Sequence, residues 1–323
     1  MANAFTSTDS GTLGTSLVQT AYDRWVRFKL RSTPLLRDIA DVQPVQQAMP
    51  GSSVVFQMWN DLAPTTAALS ETVDPDAVAI PSTTSVTVTL QEYGAAVIET
   101  RKLELTSLSD VQEGIADIIA YHMRDSLDKI VAPIITGGTN VIRANGGNLR
   151  SNLVAAGAGA RASIAAGDTL SSAMIRLATA KLRGNKAVPR VGDMYMTYLH
   201  PDVSHDIRAE SGNGAWRPPH EYSGPSSIWS ANIGSYEGSL FVESPRMPIL
   251  TDAGASNADV YQAITFGKEC LAQAIGEDVH VVAGPVVDKL GRHRPLGWYG
   301  LLGFSRFREE SLIRIETASS ISA

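Results

Sequence analysis

A single cysteine, Cys270, serves 323 residues. One thiol cannot close an internal disulfide, so the sequence is not tied to an oxidising compartment. Set in Phe266-Gly-Lys-Glu-Cys270-Leu-Ala, it reads as a small core residue. Long apolar runs are also missing. None approaches the roughly 20 residues that span a bilayer, so no membrane partner is expected. The first residues have neither a basic start nor an apolar stretch, which argues against a signal peptide. Charge is scarce, at 19% of residues against about 25% in ordinary domains, which suggests a surface covered in part by something else. Residues 51–100 hold no lysine or arginine at all, yet carry Asp61, Glu71, Asp74, Asp76, Glu92 and Glu99. The whole chain has a net charge of −6, so this stretch carries the imbalance and the remainder sums to zero.

Catalytic and ligand motifs are equally thin. A nucleophilic serine needs a tight Gly-x-Ser-x-Gly turn, and the nearest match, Gly234-Ser-Tyr-Glu-Gly238, has tyrosine at its centre. Gly267-Lys268 is followed by Glu269, which breaks the phosphate-loop pattern. Gly297, Gly300 and Gly303 recur every third residue, but with strand-like flanks instead of the helix start a phosphate would need. Close backbone packing accounts for them. His200 and His205, with Asp202 and Asp206, form the one tight histidine cluster. A spacing of five does not put two side chains on one helical face. No enzyme activity, cofactor or metal is expected.

What is present reads as a sequence of structural parts. Leu17, Ala21, Trp25 and Phe28 share one face of an expected helix, with Arg24, Arg27, Lys29 and Arg31 on the other and Pro34 as its end. Val54–Trp59 and the alternation Val86, Val88, Leu90 predict two strands. Between them Leu62–Pro81, with Pro64, Pro75 and Pro81, reads as extended loop. The two limbs form a hairpin whose acidic far end could project at most about 60 Å. The middle of this arm holds too few apolar residues to fold back on its own core, and a neighbouring copy is the expected support.

Next comes the clearest helix. Ser109 and Gln112 are placed for a capping box. Val111, Ile115, Ile118, Ile119, Met123, Leu127, Ile130, Val131 and Ile134 then recur at spacings of three and four, until Pro133 and Gly137-Gly138 stop the helix. Its length of about 25 residues, or about 38 Å, marks a structural spine. Residues 137–168 read as loop, and a second helix is expected from Asp168, as its cap, to Gly184. Met194–Leu199, Val260–Phe266 and Val279–Val287 are expected strands, and His200-Pro201-Asp202 opens a short helix. Residues 211–239 read as loop, and Trp298–Phe307 with Leu312–Thr317 as a hairpin around Glu309-Glu310.

Residues 22–37 and 286–308 each carry a net charge of +4. A pI near 5.5 argues against a dedicated nucleic-acid binder. Two basic segments and one acidic arm instead suggest complementary contacts between copies, which set register more than they add stability. Glu71, Asp74 and Asp76 are the expected docking acids, and Arg24, Arg27 and Lys29, or Arg292 and Arg294, the candidate receivers.

Three blocks of residues carry a family resemblance. They are His200-Pro-Asp-Val with Asp206-Ile-Arg; Ile233-Gly-Ser-Tyr-Glu-Gly-Ser-Leu-Phe-Val-Glu-Ser244; and Phe266-Gly-Lys-Glu, Gly284-Pro-Val-Val-Asp-Lys289 and Arg294-Pro-Leu-Gly-Trp-Tyr-Gly300. With the order of parts, they resemble the major capsid proteins of tailed bacteriophages, in particular the podovirus-type subfamily, from about residue 20 to 318. The resemblance implies an α+β chain with the tailed-phage capsid (Johnson) fold, which encapsulins and herpesvirus capsid floors share. Residues 1–46 would then be an N-terminal arm and 47–102 the extended loop. Residues 103–140, with the spine helix, and 287–323 would form a peripheral domain around an axial domain at 141–286. It also implies hexamers and pentamers closing an icosahedral shell around double-stranded DNA, without sequence-specific binding. A separate scaffolding protein, a portal and optionally a decoration protein would be further partners, with assembly in the host cytoplasm. An encapsulin-like shell around protein cargo, and a β-rich enzyme or binding module, are the alternatives.

Overall fold

A computed structural model describes residues 31–42, 52–66, 68–69, 71–72, 74, 76–107, 111–146, 160–211, 234–285 and 288–321. The expected helix at 17–31 falls almost wholly outside these residues, with Arg24, Arg27 and Lys29, and so do Ser109 and residues 212–233. The strands are β1 (Asp41–Val42), β2 (Ser53–Met58), β3 (Thr84–Thr89), β4 (Gln91–Thr100), β5 (Val141–Arg143), β6 (Tyr195–Leu199), β7 (Ser235–Tyr236), β8 (Ser239–Glu243), β9 (Ile249–Leu250), β10 (Val260–Phe266), β11 (Leu271–Ala283), β12 (His293–Arg306) and β13 (Leu312–Thr317). The helices are α1 (Arg101–Thr106), α2 (Val111–Ile135), α3 (Ser172–Gly184) and α4 (Pro201–Ala209).

Three sheets result. One runs β1-β11-β12-β4, a larger one runs β5-β13-β10-β6-β8-β7 with β9 also on β10, and β2 pairs with β3 alone. The β2–β3 ladder, Ser53 opposite Thr89 through Met58 opposite Thr84, is the hairpin stem that the alternating valines predict. β10 and β13 sit inside the larger sheet and are buried along their whole length. One core lies between that sheet and α3 and α4, from Leu170, Ile175 and Leu182 to Val203, Ile207, Ile313 and Ile315. A second joins the sheet to the spine helix α2 through Val131, Ile135, Phe266 and Leu271, and also buries Leu36 and Ile39 of the N-terminal segment.

Several expectations change. Trp298–Phe307 and Leu312–Thr317 do not pair as a hairpin. β12 lies between β11 and β4, and β13 lies between β5 and β10 in the other sheet. The chain changes sheets at the turn Glu309–Ser311, where the Glu309 carboxylate accepts the N–H of Thr139 and Asn140 and pairs with Arg306. The glycine triplet explains the choice of neighbours. A Cβ at Gly297 would stand 2.6 Å from the Ala95 carbonyl, one at Gly303 2.3 Å from that of Thr89, and one at Gly300 3.1 Å from Val279. Only a strand without side chains there can be flanked so closely.

β4 was not expected as a strand, because Gln91–Thr100 lacks regular alternation. It forms as an edge paired along β12 from Gln91–Leu302 to Thr100–His293. β11 begins at Leu271, not Val279, since its Ala-containing first half is buried. The stretch 137–168 contains β5, which pairs in parallel with β13. Asp168 is not the cap of α3. That position is Ser171, and the Asp168 carboxylate accepts from the Ala165 N–H while Glu210 accepts from Ser172 at the helix start. Pro133 sits inside the last turn of α2, which runs on to Ile135. The Gln112 amide donates to Glu99 and Glu104. His200 and His205 each face a neighbouring aspartate, at 3.2 Å and 3.5 Å. His200 caps α4, its Nδ1 accepting the Asp202 N–H, and burial lowers its pKa against the opposing pull of Asp202.

Candidate assembly surface

The projecting arm is built on an ordinary apolar root. Val88 and Leu90 are buried with Ala272 and Ala274 of β11, and Val54, Phe56, Leu301 and Phe307 pack around them. Phe56 meets Phe307 edge to face, with centroids 6.3 Å apart. At the end of the stem the Asn60 amide donates to the Ser82 carbonyl at 2.6 Å and to Thr84 Oγ1 at 3.2 Å, which closes the ladder. Beyond that bracket every described residue from 61 to 83 is exposed. The residues left in water include Trp59 at 75%, Leu69 at 74%, and Val78 and Ile80 at 68% each. Exposed apolar groups of this size, gathered on one arm, mark an interaction surface.

The candidate charges divide. Glu71, Asp74 and Asp76 are exposed on the arm and form no ion pair with another described residue. Arg292 and Arg294, by contrast, already have partners in their own chain. Arg292 lies 2.6 Å from Asp288 and Arg294 lies 3.3 Å from Glu104. The structure therefore does not bring the acids to either arginine within one subunit.

A second feature had no recognisable signal in the sequence. The N-terminal segment is strapped along the spine helix. The Asp128 carboxylate accepts the N–H of Leu35 at 2.8 Å and of Arg37 at 3.2 Å, and Tyr121 donates to the Ser32 carbonyl. Arg31 pairs with Asp117 at 2.7 Å and lies over the Tyr121 ring. Arg246, on the turn after β8, closes the group from the side of the larger sheet. It pairs with Asp125, donates to Asp128 at 3.0 Å and reaches Ser32 Oγ at 3.1 Å. Burial pushes the Asp125 carboxyl upward, but bonds from Lys129 and Arg246 outweigh it and hold the group below its ordinary range. Further along, Asp41 receives the Glu269 N–H at 2.7 Å and Arg190 at 3.2 Å as β1 joins β11.

The third feature stiffens the larger sheet. Glu316 on β13 is fully buried and accepts from Arg143 at 2.9 Å, from Arg161, and from Gln262 at 3.3 Å. Arg314 approaches it at 2.9 Å without hydrogen-bond alignment, so its Nε lacks an acceptor, while its Nη1 donates to the Gly137 carbonyl. Burial raises the Glu316 pKa, but the arginines outweigh it and the net shift is downward. Burial likewise depresses Arg314. The sequence held one clue: Leu312–Thr317 alternates apolar and charged residues like a half-exposed strand, yet is buried on both faces. Among the described residues, no group of three or more His, Cys, Asp or Glu side chains could hold a metal ion.

The sequence matches a known family and the fold has solved relatives. The family model described as phage capsid protein matches residues 17–321. No curated protein matches the sequence. Among solved structures, the capsid of cyanophage Pam1 superposes with a TM-score of 0.73 at 12% identity, covering 97% of this chain and all of that one (100%). The acid-stable capsid of Helicobacter pylori bacteriophage KHP30 gives 0.72 at 15%, over 98% and 99% of the two chains. The capsid of Ralstonia phage GP4 gives 0.70 at 14%, over 97% and 98%.

Proposed function

Since the chain belongs to the phage capsid protein family and is a subunit of a phage head shell, we propose that it is arranged as hexamers and pentamers of an icosahedral head around double-stranded DNA. The observation that carries this reading is the arm: a stem rooted in the core, and a tip whose described residues are exposed and whose acids form no ion pair with another described residue. Such a surface gains from being covered. In the Johnson-fold partition, residues 47–102 are the extended loop, 103–140 and 287–323 the peripheral domain, and 141–286 the axial domain, with β13 lending its pairing to the larger sheet. The proposed docking acids are Glu71, Asp74 and Asp76. Arg292 and Arg294 are engaged in their own chain, which favours the group Arg24, Arg27 and Lys29 on a neighbouring copy.

A subunit with a net charge of −6, and so not basic overall, suits a wall around DNA. Each phosphate contact gains from counterion release, so a strongly basic lining would trap the genome as it enters. The DNA is therefore enclosed without sequence-specific contacts. A separate scaffolding protein and a portal complete the assembly in the host cytoplasm, with a decoration protein as an optional addition. The role is structural and not enzymatic.

The test is electron microscopy of particles made with wild-type protein and with Glu71, Asp74 and Asp76 all changed to lysine. Wild-type protein should form DNA-containing heads, and the variant should stay as folded, unassembled subunits. Normal heads from the variant would remove the arm acids from the reading. Shells holding protein cargo and no DNA would replace the phage-head reading with a cargo compartment.

A further inference from the structure

Residues 169–192 hold Arg176, Lys181, Arg183, Lys186 and Arg190 and no aspartate or glutamate, in a chain whose net charge is −6. Arg190 is engaged with Asp41 and the Asp38 carbonyl. The other four belong to α3 and the turn after it. α3 buries Met174, Ile175, Ala178 and Leu182 in the core beside the larger sheet. Arg176, Ala180 and Arg183 follow one another at spacings of four and three along its other side, and all three are exposed. Arg176 and Arg183 therefore stand about 10 Å apart along the helix axis. Lys186 is exposed just past the helix end, and Lys181 is half-buried.

The cations of this face have no counter-charge. Elsewhere Arg143, Arg161, Arg208, Arg246, Arg306 and Arg314 each stand within ion-pair distance of a carboxylate. Arg176, Lys181, Arg183 and Lys186 form no ion pair with another described residue. Arg183 is also held in place. A Cβ at Gly238, whose φ is +82°, would stand 2.6 Å from the Arg183 Nη2, so the guanidinium lies on the bare turn between β7 and β8. Glu237 in that turn is exposed and forms no ion pair with Arg183.

The face lacks what a protein partner would use. Between residues 169 and 187 no large apolar side chain is exposed. The arm, with Trp59, Leu69, Val78 and Ile80 in water, would find no apolar cover there. A ligand held by charge alone fits. A phosphodiester backbone is such a ligand, since it presents an unbroken row of negative charge that carries no sequence information.

We propose that the outer face of α3, with Arg176, Lys181, Arg183 and Lys186, binds double-stranded DNA through its phosphates and without regard to sequence. The inference rests on the reading that the shell encloses DNA. Electron microscopy of heads tests that reading, and DNA binding by unassembled subunits tests this one, so the two fail separately. Four such contacts on an otherwise acidic subunit are weakened readily by salt and allow sliding along DNA.

The test is fluorescence anisotropy of two labelled duplexes of unrelated sequence, titrated with full-length, unassembled protein. Both should bind alike, and affinity should fall about a hundredfold between about 50 and about 200 mM salt, the loss expected for about four phosphate contacts. Arg176→Gln with Lys186→Gln should lower affinity at least about tenfold at low salt and flatten the salt slope by about two. Lys268→Gln with Lys289→Gln removes the same charge from exposed lysines elsewhere and should bind as wild type. Equal losses in the two double variants, or no salt-dependent binding by wild type, would overturn the proposal. Wild-type protein that ignores DNA but binds poly-glutamate, and loses that binding in Arg176→Gln with Lys186→Gln, would replace the DNA with an acidic protein partner.

Discussion

Replacing Glu316 by glutamine should destabilise the subunit far more than its single charge suggests. Its carboxylate is fully buried and stands among the guanidinium groups of Arg143, Arg161 and Arg314. Three cations are already in excess over one anion, so the variant leaves them with no counter-charge. Removing one partner of a buried ion pair costs about 3–5 kcal/mol. Unfolding entropy near about 2.1 cal/mol/K per residue gives about 0.7 kcal/mol/K for a chain of 323 residues. The expected fall in melting temperature is therefore about 4–7 °C, read by calorimetry on unassembled protein. Arg161→Met should behave differently, because Arg161 is partly exposed, at 37%, and its loss relieves repulsion among the arginines. It should cost under about 1 kcal/mol. The double variant Glu316→Gln, Arg314→Met should recover part of the loss, since the two sites are coupled. A Glu316→Gln variant that melts within about 1.5 °C of wild type would refute the claim that this cluster holds β13 to its neighbours.

The same carboxylate sets a pH dependence. Its native pKa lies below the unfolded value, so its contribution is present above about pH 4.3 and is lost as pH falls through the lower native value; denaturant midpoints measured from pH 7 down to 3 should drop in that window, and less so in Glu316→Gln. Gly303→Ala puts a Cβ 2.3 Å from the Thr89 carbonyl, and forcing the hairpin stem away from β12 should cost about 2 kcal/mol or more in chemical unfolding. Arg246→Met leaves Asp125 and Asp128 without their shared cation and should raise amide exchange at Leu35 and Arg37 at least about tenfold, with exchange in β10 unchanged. Burial pushes the Cys270 thiol up to about 12, so the native protein should resist thiol reagents at pH 8 and react only when unfolded.

Local pattern made part of this molecule legible. The spine helix and the β2–β3 stem follow from apolar spacing, because each buries one face and exposes the other. The same logic failed where burial has two sides or none. β13 alternates like a surface strand but is enclosed, and only pairing with arginines more than 150 residues away permits its charges. β4 carries no alternation because it is an edge strand with most of its side chains in solvent. The false hairpin at 298–317 came from sequence proximity, whereas the glycines of β12 select partners by how closely a backbone may approach. Of the candidate surface, the acids were visible from composition. The strap was not: Arg246 lies 118 residues from Asp128, and no motif links them.

The distribution of charge then becomes intelligible. Where this chain needs an ion pair for its own fold, the partners are buried or half-buried and the geometry is close, as at Glu316 and Arg246. The acids on the arm have no such partner among the described residues, and the same arm carries apolar residues that water does not favour. An isolated subunit gains nothing from either feature. The acids stay exposed, and the exposed Trp59, Leu69, Val78 and Ile80 raise the risk of non-specific association. A surface of opposite charge covering the arm would turn both costs into specificity, since like charge then rejects the wrong register while burial supplies the affinity. The acids should therefore govern which contacts form and how quickly, and the apolar residues how firmly they hold. Lysine substitutions at Glu71, Asp74 and Asp76 should slow assembly most at low salt, whereas Trp59→Ser should lower the yield of shells at every ionic strength. If the two variants showed the same salt dependence, this division of labour would be wrong.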